Sequence, residues 1–460
     1  MRNANMVLLG KSRNEASNLL LKGELTVSVF GLGKMGLPLA LVFASKGAKV
    51  YGVDLNENVV EMVNRGENPI SFEPGVGELL EKAVKEKRLT AVTDGALASS
   101  KSDLIVLLVP VYANAKGIRM ELMEKAIDEV SNGIRKGAIV VTETTLPPGT
   151  TESFIPKIEN VSGLKAGIDF GIAHAPERTM SGRVIKDITE SYPKIIGAIN
   201  EATLEPLIGI YSAINKKGVV PVSSIRVAEA VKVFEGVYRD VNIALANELA
   251  LISERLGINV NEAIDSANTQ PYSHIHRPGA GVGGHCIGVY TWFLIHSFPE
   301  LSKIMKIARE TNDSMPLHMV ELTVKALNLV RKPVNGARII VFGLSYRGGI
   351  KETINSPSFP LINEFLKWGA NVEVYDPYFS NEEIMSYGFK PFNGNFEGAD
   401  AVVVVTDHPQ FKEVDLRDLK DKMATPIIID GRYIYATAKG IENFIYASPG
   451  IQIRCPKSFQ

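Results

Sequence analysis

The chain has 460 residues, and its 50 Lys and Arg side chains almost balance its 51 Asp and Glu side chains, for a net charge of -1. This balance excludes a global field that attracts DNA or an anionic membrane, and the two cysteines, Cys286 and Cys455, are too widely spaced to indicate a disulfide framework or a zinc site. No apolar run reaches the ~18 residues of a membrane span, so we expect a cytoplasmic protein of two or three domains with no bound metal and no nucleic-acid or membrane partner.

The N-terminal segment, residues 1–24, lacks the apolar core and the cleavage pattern of a signal peptide, and we interpret it as a polar extension with room for a short helix. Residues 25–215 then alternate β-branched strands and amphipathic helices, through TVSVF, DLIVLLVPV and AIVVTET. Alternation of this kind predicts an α/β fold with a doubly wound parallel sheet, because crossover helices return the chain to start parallel strands.

A glycine fingerprint opens this first α/β domain. Gly31, Gly33 and Gly36 form G-x-G-x-x-G directly after a strand, and Asp54 ends the next strand eighteen residues after Gly36. The glycines permit a tight turn and a close approach of a pyrophosphate to backbone amides, while the carboxylate favours a free ribose diol over a 2′-phosphate. The pattern predicts a site for NAD. The predicted cofactor contacts are Gly31, Gly33, Lys34, Met35, Gly36, Asp54, Pro110 and Thr145.

Residues 216–330 are predicted to be a helical central domain. Apolar residues recur at helical spacing from 223 to 256, which is longer than a typical globular helix and suits a bridge between domains or a dimer interface. Lys232, Gly236 and Arg239 share one face of this helix, so a lysine and an arginine can project toward one cleft. A solvated charged face is the competing interpretation.

A second α/β block follows over residues 331–460, after the linker-like RKPVNG. Its opening, RIIVFGLSYRG, echoes TVSVFGLGKMG and predicts a second Rossmann-like domain. Arg347 stands beside glycines after the first strand, and Arg432 lies at the end of another strand, where each could hold a phosphate. For each arginine taken alone, a surface residue is the favoured interpretation.

Two further positions carry candidate chemistry. Glu177 and Arg178, in HAPERTMSG, follow a strand of the first domain, where ligand contacts of parallel sheets concentrate. Cys286 follows the glycine-rich GAGVGGH, and a thiol beside such a loop can trap an aldehyde as a thiohemiacetal that is then oxidised to a thioester. A small buried hydrophobe is the alternative for a lone cysteine.

As a set, these motifs resemble the UDP-glucose/GDP-mannose dehydrogenase family, whose members oxidise the 6-hydroxyl of a nucleotide sugar to a carboxylate with NAD. The similarity extends from about residue 25 to 435 and includes FGLGKMGLPLA, TTLPPGTT, APER, YRDVNIALANELA, GVGGHC and SPSFPLI. YRDVNIALANEL and GVGGHC are most similar to the branch that oxidises UDP-N-acetylhexosamines, with UDP-N-acetylmannosamine the first choice, UDP-N-acetylglucosamine next and UDP-glucose an alternative.

The resemblance implies roles for particular residues. Cys286 would be the nucleophile and Lys232 would stabilise the oxyanion intermediates. Glu177 would be a partner for the catalytic water or the thiol, and Thr145 would position that water. The resemblance also implies a homodimer or dimer of dimers through the long helix, and a last domain that binds the uridine, with Arg347 where family members have a lysine. The predicted substrate contacts are Glu177, Arg178, Lys232, Arg239, Gly279, Gly281, Gly283, Gly284, Arg347 and Arg432.

Besides Arg347, the chain departs from the family pattern at four positions. Tyr290 replaces the usual aspartate four residues after the cysteine, and Gly236 replaces the asparagine one turn after the lysine; Ile354 and Asn355 replace an arginine and a glutamate. Loss of a carboxylate and of an oxyanion donor would slow thioester hydrolysis. Two alternatives therefore stay open: a β-hydroxyacid-type dehydrogenase that needs no thiol, and a catalytically impaired relative that only binds NAD and a nucleotide sugar.

Overall fold

The computed structural model describes residues 7–70 and 73–456, and the chain separates into two compact units, 1–235 and 236–460. The boundary falls inside one long helix, Ile225–Leu256. The predicted division into 1–24, 25–215, 216–330 and 331–460 stays a prediction, and each unit is described separately below.

The first unit contains a large sheet and a small hairpin. Its strands are, in chain order, β1 (Thr26–Phe30), β2 (Lys49–Val53), β3 (Leu89–Val92), β4 (Leu104–Leu107), β5 (Tyr112–Asn114), β6 (Gly117–Arg119), β7 (Ile139–Thr142), β8 (Gly171–His174), β9 (Lys194–Ala198) and β10 (Val219–Pro221). The large sheet has the order β10-β9-β8-β7-β4-β1-β2-β3, and β5 pairs with β6. All neighbours in the large sheet are parallel except β8 and β9, because the chain between them returns through a loop and short helical turns.

The helices of the first unit connect these strands. They are α1 (Arg13–Leu21), α2 (Gly36–Ser45), α3 (Glu57–Arg65), α4 (Val76–Lys85), α5 (Gly95–Lys101), α6 (Glu121–Gly133), α7 (Thr150–Ser153), α8 (Ile155–Ser162), α9 (Val184–Lys186), a π-helical turn (Asp187–Ser191), α10 (Glu201–Ile214) and α11 (Ile225–Leu256), which continues into the second unit.

Alternating side chains of the central strands explain why helices cover both faces of the sheet. In β4, Leu104 and Val106 belong to one buried apolar cluster, while Ile105 and Leu107 belong to a second cluster on the opposite face. A strand that is apolar at every position is typical of a parallel sheet buried on both sides. The strand ends near residues 31, 108, 143 and 175 therefore converge at one edge, where ligands of such sheets bind.

The N-terminal segment differs from the polar extension that its composition suggests. Helix α1 begins with a capping box between Ser12 and Glu15, and it packs on α10. Leu8, Ala16 and Leu20 are buried in the same apolar cluster as β1 and β2. The described part of the segment, from residue 7, therefore completes the core of the first unit.

The second unit contains the remaining elements. They are α12 (Val260–Ala267), α13 (Ile287–Ser297), α14 (Lys303–Leu329), β11 (Arg338–Phe342), α15 (Ser358–Lys367), β12 (Asn371–Tyr375), α16 (Asn381–Ser386), β13 (Ala401–Val404), a 3-10 turn (Pro409–Glu413), α17 (Leu416–Lys422), β14 (Ile427–Asp430), a 3-10 turn (Ile441–Asn443), β15 (Ile445–Ser448) and β16 (Ile451–Arg454). The sheet has the order β12-β11-β13-β14-β15-β16 and is parallel except for β15 and β16.

The second sheet repeats the plan of the first. Ile339 and Val341 of β11 face one buried cluster, and Ile340 and Phe342 face another. The first βα turns also match, because Gly31 and Gly343 both have positive φ and both donate their amides to the last residue of the neighbouring strand. The prediction of two Rossmann-like domains with a long helix and a helical middle region is confirmed.

Candidate functional site

The glycine turn of the first unit has the geometry that a dinucleotide requires. A Cβ on Gly31, where φ is +88°, would lie 2.7 Å from the carbonyl oxygen of Leu108, and a Cβ on Gly36 would lie 1.7 Å from the carbonyl oxygen of Gly31. A Cβ on Gly33 would meet no atom within 4 Å. Two glycines therefore permit the turn itself, and Gly33 leaves open space in front of the N-terminal end of α2, where a phosphate is stabilised.

Asp54 lies directly beside this turn. Its Oδ2 accepts a hydrogen bond from the amide of Leu32 at 2.8 Å, and its Oδ1 accepts one from the amide of Asn56 at 2.9 Å. Both bonds fix the carboxylate at the end of β2, partly exposed to solvent. The residues fit NAD: the turn would hold the pyrophosphate, and Asp54 would accept hydrogen bonds from a ribose diol.

The other predicted cofactor residues surround the same edge of the sheet. Lys34 is exposed, and Met35 lies at the start of α2, where its Sδ accepts a hydrogen bond from the Thr179 hydroxyl at 2.9 Å. Pro110 is exposed in the loop after β4. Thr145 is 8% exposed and follows Thr144, whose hydroxyl donates to the Val109 carbonyl at 2.7 Å and ties the β7 loop to the β4 loop.

A buried charge cluster lies at the ends of β7 and β8, and the sequence did not predict it. The ammonium group of Lys194 donates to Glu143 Oε2 at 2.5 Å and to Glu177 Oε2 at 3.2 Å. The Tyr211 hydroxyl donates to the other Glu143 oxygen at 2.5 Å. We call Glu143, Glu177, Lys194 and Tyr211 the carboxylate cluster. It brings the predicted Glu177 together with three residues that no local motif marks.

Burial and charge set the ionisation of the two carboxylates. Burial raises the pKa of Glu143 to about 7, against the opposing effect of the Lys194 charge. Burial acts in the same direction on Glu177, but the Lys194 charge, the Thr179 amide and the Lys232 charge outweigh it, so that its pKa is lowered. Glu143 therefore takes up a proton before Glu177 does.

The remaining predicted residues of the first unit are Lys232 and Arg178. Lys232, half-buried in α11, is close enough to Glu177 for its charge to lower the pKa of that carboxyl. Arg178 donates to Glu235 at 2.6 Å and to the carbonyl of Pro193 at 2.7 Å, and its guanidinium lies over the Tyr192 ring. These contacts fix Arg178 within the protein, and its contact with substrate stays a prediction.

Cys286 lies in the second unit, half-buried at the N-cap position of α13. Protein atoms pack against all four glycines of the preceding loop. A Cβ on Gly283 or Gly284 would lie 2.5 Å or 2.8 Å from Tyr346, while Gly279 faces the Gly431 carbonyl and Gly281 faces Pro357 and Pro316. Packing alone thus requires small residues here, and direct contact of these glycines with a ligand stays a prediction.

Two of the departures from the family pattern, Ile354 and Asn355, form hydrogen bonds with the glycine-rich loop that precedes Cys286. The amide of Gly284 donates to the Ile354 carbonyl at 2.7 Å, and the Asn355 side-chain amide donates to the Gly284 carbonyl at 3.0 Å. Asn355 has a φ of +50°, in the left-handed region that asparagine tolerates better than most residues. Ile354 thus contacts the loop through its backbone carbonyl. Asn355 contacts it through its side chain and also tolerates the left-handed backbone conformation at its position.

The other two departures, Gly236 and Tyr290, contact each other. A Cβ on Gly236 would lie 2.6 Å from Cδ2 and 3.1 Å from Cβ of Tyr290. The Tyr290 ring is 9% exposed and stacks on Phe293 with the ring centroids 5.9 Å apart. The two replacements are therefore one coupled change, because the ring occupies the space that any side chain at 236 would need.

Charged residues group around Tyr346 beside the same loop. Burial raises the pKa of Tyr346 to about 12, Glu352 and Cys286 act in the same direction, and Arg347 and Arg239 oppose them. The structure thus brings the predicted residues Cys286, Arg239 and Arg347 into one electrostatic neighbourhood. His285, next to Cys286, contacts the carboxylate of Glu352 through its Nε2.

Arg432 braces two loops at the edge of the second sheet. Its Nε donates to the Val405 carbonyl at 2.7 Å, and an Nη donates to the Tyr346 carbonyl at 3.1 Å. Gly279 lies against the same guanidinium group. The structure therefore gives Arg432 a positioning role in the protein, and the predicted contact with substrate stays a prediction.

A buried polar network anchors both ends of the segment that carries Cys286. Asn247 accepts a hydrogen bond from the Gly279 amide at 2.9 Å and donates to Asn312 at 2.9 Å, and Asn312 donates to Asp240 at 2.8 Å. The Thr291 hydroxyl, one turn into α13, donates to the other oxygen of Asp240 at 2.7 Å. Arg309 neutralises Asp240 at 2.7 Å. Satisfied buried networks of this kind hold one conformation.

Three family models match this chain. They are the NAD binding domain of the UDP-glucose/GDP-mannose dehydrogenase family over residues 25–215, its central domain over 226–314 and its UDP binding domain over 340–437. The chain belongs to the UDP-glucose/GDP-mannose dehydrogenase family. The predictions of this family, of an NAD-dependent nucleotide-sugar dehydrogenase and of NAD as the cofactor are confirmed.

Family members of known identity cover almost all of the chain. The UDP-N-acetyl-D-mannosamine dehydrogenase of Pyrococcus horikoshii is 38% identical over 413 residues, which are 89% of this chain and 95% of the relative. A solved structure of the UDP-D-ManNAc dehydrogenase from Pyrococcus horikoshii superposes with a TM-score of 0.84 at 35% identity, covering 93% of this chain and 99% of that one. The NDP-N-acetyl-D-galactosaminuronic acid dehydrogenase of Methanosarcina mazei Go1 gives a TM-score of 0.81 at 34% identity, with 95% and 98% covered.

The described residues offer neither a metal site nor a membrane span. Over residues 7–70 and 73–456, His, Cys, Asp and Glu side chains form no group of three or more that could hold a metal ion. Over the same ranges, no helix combines the length and the apolar character that crossing a membrane requires.

Proposed function

We propose that this dehydrogenase oxidises the 6-hydroxyl of a UDP-N-acetylhexosamine to the uronate, with UDP-N-acetyl-D-mannosamine as the first choice. The similarity to UDP-N-acetyl-D-mannosamine dehydrogenases over most of the chain carries this proposal. The relative that acts on an N-acetyl-D-galactosaminuronic acid nucleotide supports the acetylated class and leaves its epimer to experiment. The product would supply a uronate for polysaccharide assembly in the cytoplasm.

Cys286 is the proposed nucleophile. NAD, when bound, accepts a hydride in each of two oxidations. The thiolate of Cys286 would add to the aldehyde carbon left by the first oxidation, giving a thiohemiacetal, and the second oxidation leaves the sugar bound to sulfur as a thioester. Water then cleaves the carbon–sulfur bond, releasing the carboxylate and restoring the thiol.

Residues of the first unit would handle charge and water. Lys232 would stabilise the oxyanion of each adduct, since an ammonium group both donates hydrogen bonds and carries the opposite charge. Glu177, ionised because of its neighbours, would accept a proton from the attacking water, and Thr145 would orient that water. NAD would lie on the glycine turn with Asp54 at its ribose.

The coupled pair Gly236 and Tyr290 favours a second candidate, a relative that binds NAD and the nucleotide sugar without completing both oxidations. The pair lacks the asparagine and the aspartate that the family pattern places at these positions. The retention of Cys286, Lys232 and Glu177 is the reason to favour full oxidation.

The stoichiometry of NADH separates these candidates. Purified enzyme with limiting UDP-N-acetylmannosamine and excess NAD should release two NADH per sugar and form the uronate. One NADH with free aldehyde would show that the second oxidation fails, and thermal stabilisation by ligands without any NADH would support the binding-only candidate. A panel with UDP-N-acetylglucosamine and UDP-glucose tests the sugar.

Two cysteine variants test the chemistry. Cys286→Ser should abolish uronate formation, while Cys455→Ser, the matched control at the end of β16, should retain it. Full activity of Cys286→Ser would exclude the thioester route and favour the β-hydroxyacid-type alternative, which needs no thiol.

We also propose that the protein is a homodimer or a dimer of dimers, assembled through α11. Large apolar side chains on this helix are exposed at spacings of four and seven residues, which place them on one face. They are Phe234, Tyr238, Leu245 and Ile252. An apolar stripe of this length is more typical of a subunit interface than of a solvated face.

A further inference from the structure

The carboxylate cluster buries two carboxyl groups beside a single lysine. Lys194 is 11% exposed, Glu143 is fully buried and Glu177 is 10% exposed, so three charged groups share one buried place. Two carboxylates and one ammonium group leave one surplus negative charge. Buried charges of this kind are costly unless each is paired or protonated, so a structural ion pair alone would be simpler with one carboxylate.

The hydrogen bonds to the two carboxyl groups indicate which of them is ionised. Glu177 Oε1 accepts from the amides of Arg178 at 2.6 Å and Thr179 at 2.8 Å, and its Oε2 accepts from Lys194. These donors stabilise the ionised form. Among the residues that the structure describes, Glu143 accepts hydrogen bonds from one cation and one neutral hydroxyl, and it is more deeply buried than Glu177. The proton that neutralises the surplus negative charge, called here the surplus proton, therefore belongs on Glu143.

The backbone couples both carboxylates to the strand ends. The amide of Glu177 donates to the Glu143 carbonyl at 3.0 Å, and the amide of Glu143 donates to the Leu107 carbonyl at 2.9 Å. Thr145 lies two residues after Glu143 in the same loop. Lys194, at the start of β9, thus holds the two loops that carry Glu177 and Thr145.

We propose that Lys194 is a positioning residue of the oxidation: its ammonium group, bonded to both Glu143 and Glu177, keeps Glu177 ionised and in place, while Glu143 takes the surplus proton. The proposal rests on the proposed function in assigning Glu177 to the reaction. Several titratable groups face Glu177 and enter its ionisation. They are Lys194, Glu143, Lys232, Tyr192 and Tyr211.

The pH profile of kcat/KM tests this assignment. In Lys194→Met, Glu177 loses its cation beside a second carboxylate, and we expect the acidic limb to move upward by about one to three pH units, with roughly a hundred-fold loss near neutral pH. Lys194→Arg should restore the limb. Glu143→Gln replaces a carboxyl group that is already protonated where Glu177 titrates, so its limb should stay in place.

A rate loss in Lys194→Met that is the same at every pH would assign Lys194 a structural role and overturn the proposal. An unchanged profile would overturn it as well. If Lys194→Met does not fold, Lys194→Arg and Glu143→Gln still decide the matter, because both should keep the acidic limb of the unsubstituted protein. A limb that moves in Glu143→Gln contradicts the proposed distribution of charge.

A second measurement needs no turnover and separates this proposal from the proposed function. The melting temperature of Lys194→Met should fall further below that of the unsubstituted protein as pH rises, because both carboxylates then ionise without a counter-ion. A gap that stays constant with pH overturns the role of Lys194. Absence of NADH from every UDP-sugar with the unsubstituted protein would instead overturn the proposed function alone.

Discussion

The contact between Gly236 and Tyr290 predicts that replacing this helical glycine with alanine lowers the stability of the protein, whereas such a replacement normally raises it. Alanine normally stabilises a helix interior by about 1 kcal/mol relative to glycine. At 236 the new Cβ would lie 2.6 Å from the Tyr290 ring, well inside van der Waals contact, and the ring cannot withdraw because it is buried against Phe293. Overpacking of this kind costs about 1–3 kcal/mol, so we expect Gly236→Ala to lower the stability by about 1 kcal/mol.

The same substitution should be favourable once the ring is gone. In a Tyr290→Ala background the clash disappears, so Gly236→Ala should then raise the stability by about 1 kcal/mol, giving a coupling free energy of roughly 2 kcal/mol. Gly77 of α4 is the matched control, because a Cβ there would meet no atom within 4 Å. Gly77→Ala should stabilise both backgrounds equally.

Urea denaturation at fixed protein concentration, followed by circular dichroism, measures all of these variants. The midpoint should fall for Gly236→Ala in the native background and rise for it in the Tyr290→Ala background. The reasoning is refuted if Gly236→Ala stabilises the native background as Gly77→Ala does, or if its penalty is the same with and without the ring.

Three further predictions concern the buried charges, the cysteine segment and the subunit interface. The pKa of Glu143 is raised from 4.5 to about 7, so between these pH values the folded protein retains a proton that the unfolded chain has lost. The free energy of unfolding should therefore fall by about 3 kcal/mol as pH rises from 4.5 to 7. Melting temperatures measured from pH 5 to 8 should decline less in Glu143→Gln than in the unsubstituted protein. Asn247→Ala leaves the buried Gly279 amide without its acceptor, which should cost about 1–3 kcal/mol in urea denaturation and raise the KM for the sugar more than the KM for NAD; equal changes in both would contradict a local role. Phe234→Glu places a charge on the exposed stripe of α11 and should halve the mass found by light scattering, whereas an unchanged mass would locate the interface elsewhere.

Local patterns in the sequence predicted the parts of the fold that depend on local physics. The glycine turn at Gly31, the long helix α11 and the strand at β11 all follow from spacing within one short window, and the structure confirms them. The antiparallel pairing of β8 with β9 could not be predicted in this way, since strand direction depends on how the intervening loop packs.

The carboxylate cluster escaped prediction for the same reason. Lys194 opens the sequence KIIGA, which has the pattern of any strand with a solvated lysine at its end, and Glu143 is one of many polar residues that follow a strand. The partners of Glu143, Lys194 and Tyr211, lie 51 and 68 residues away along the chain. One signal was present: Glu143 lies among three threonines, one before it and two after it, directly beyond the apolar residues of β7.

In both Rossmann-like domains an aspartate accepts a hydrogen bond from an amide of the first glycine turn, but the two aspartates differ in burial. In the first, Asp54 receives the Leu32 amide and remains partly exposed, free to accept hydrogen bonds from a ribose. In the second, Asp376 receives the equivalent amide, that of Leu344, at 2.8 Å, but His408 donates to the same carboxylate at 3.0 Å and both side chains are fully buried. A carboxylate enclosed in this way cannot reach a ribose diol. The repeated turn therefore stabilises the second domain, and of these two aspartates Asp54 is the one that remains accessible to a ligand.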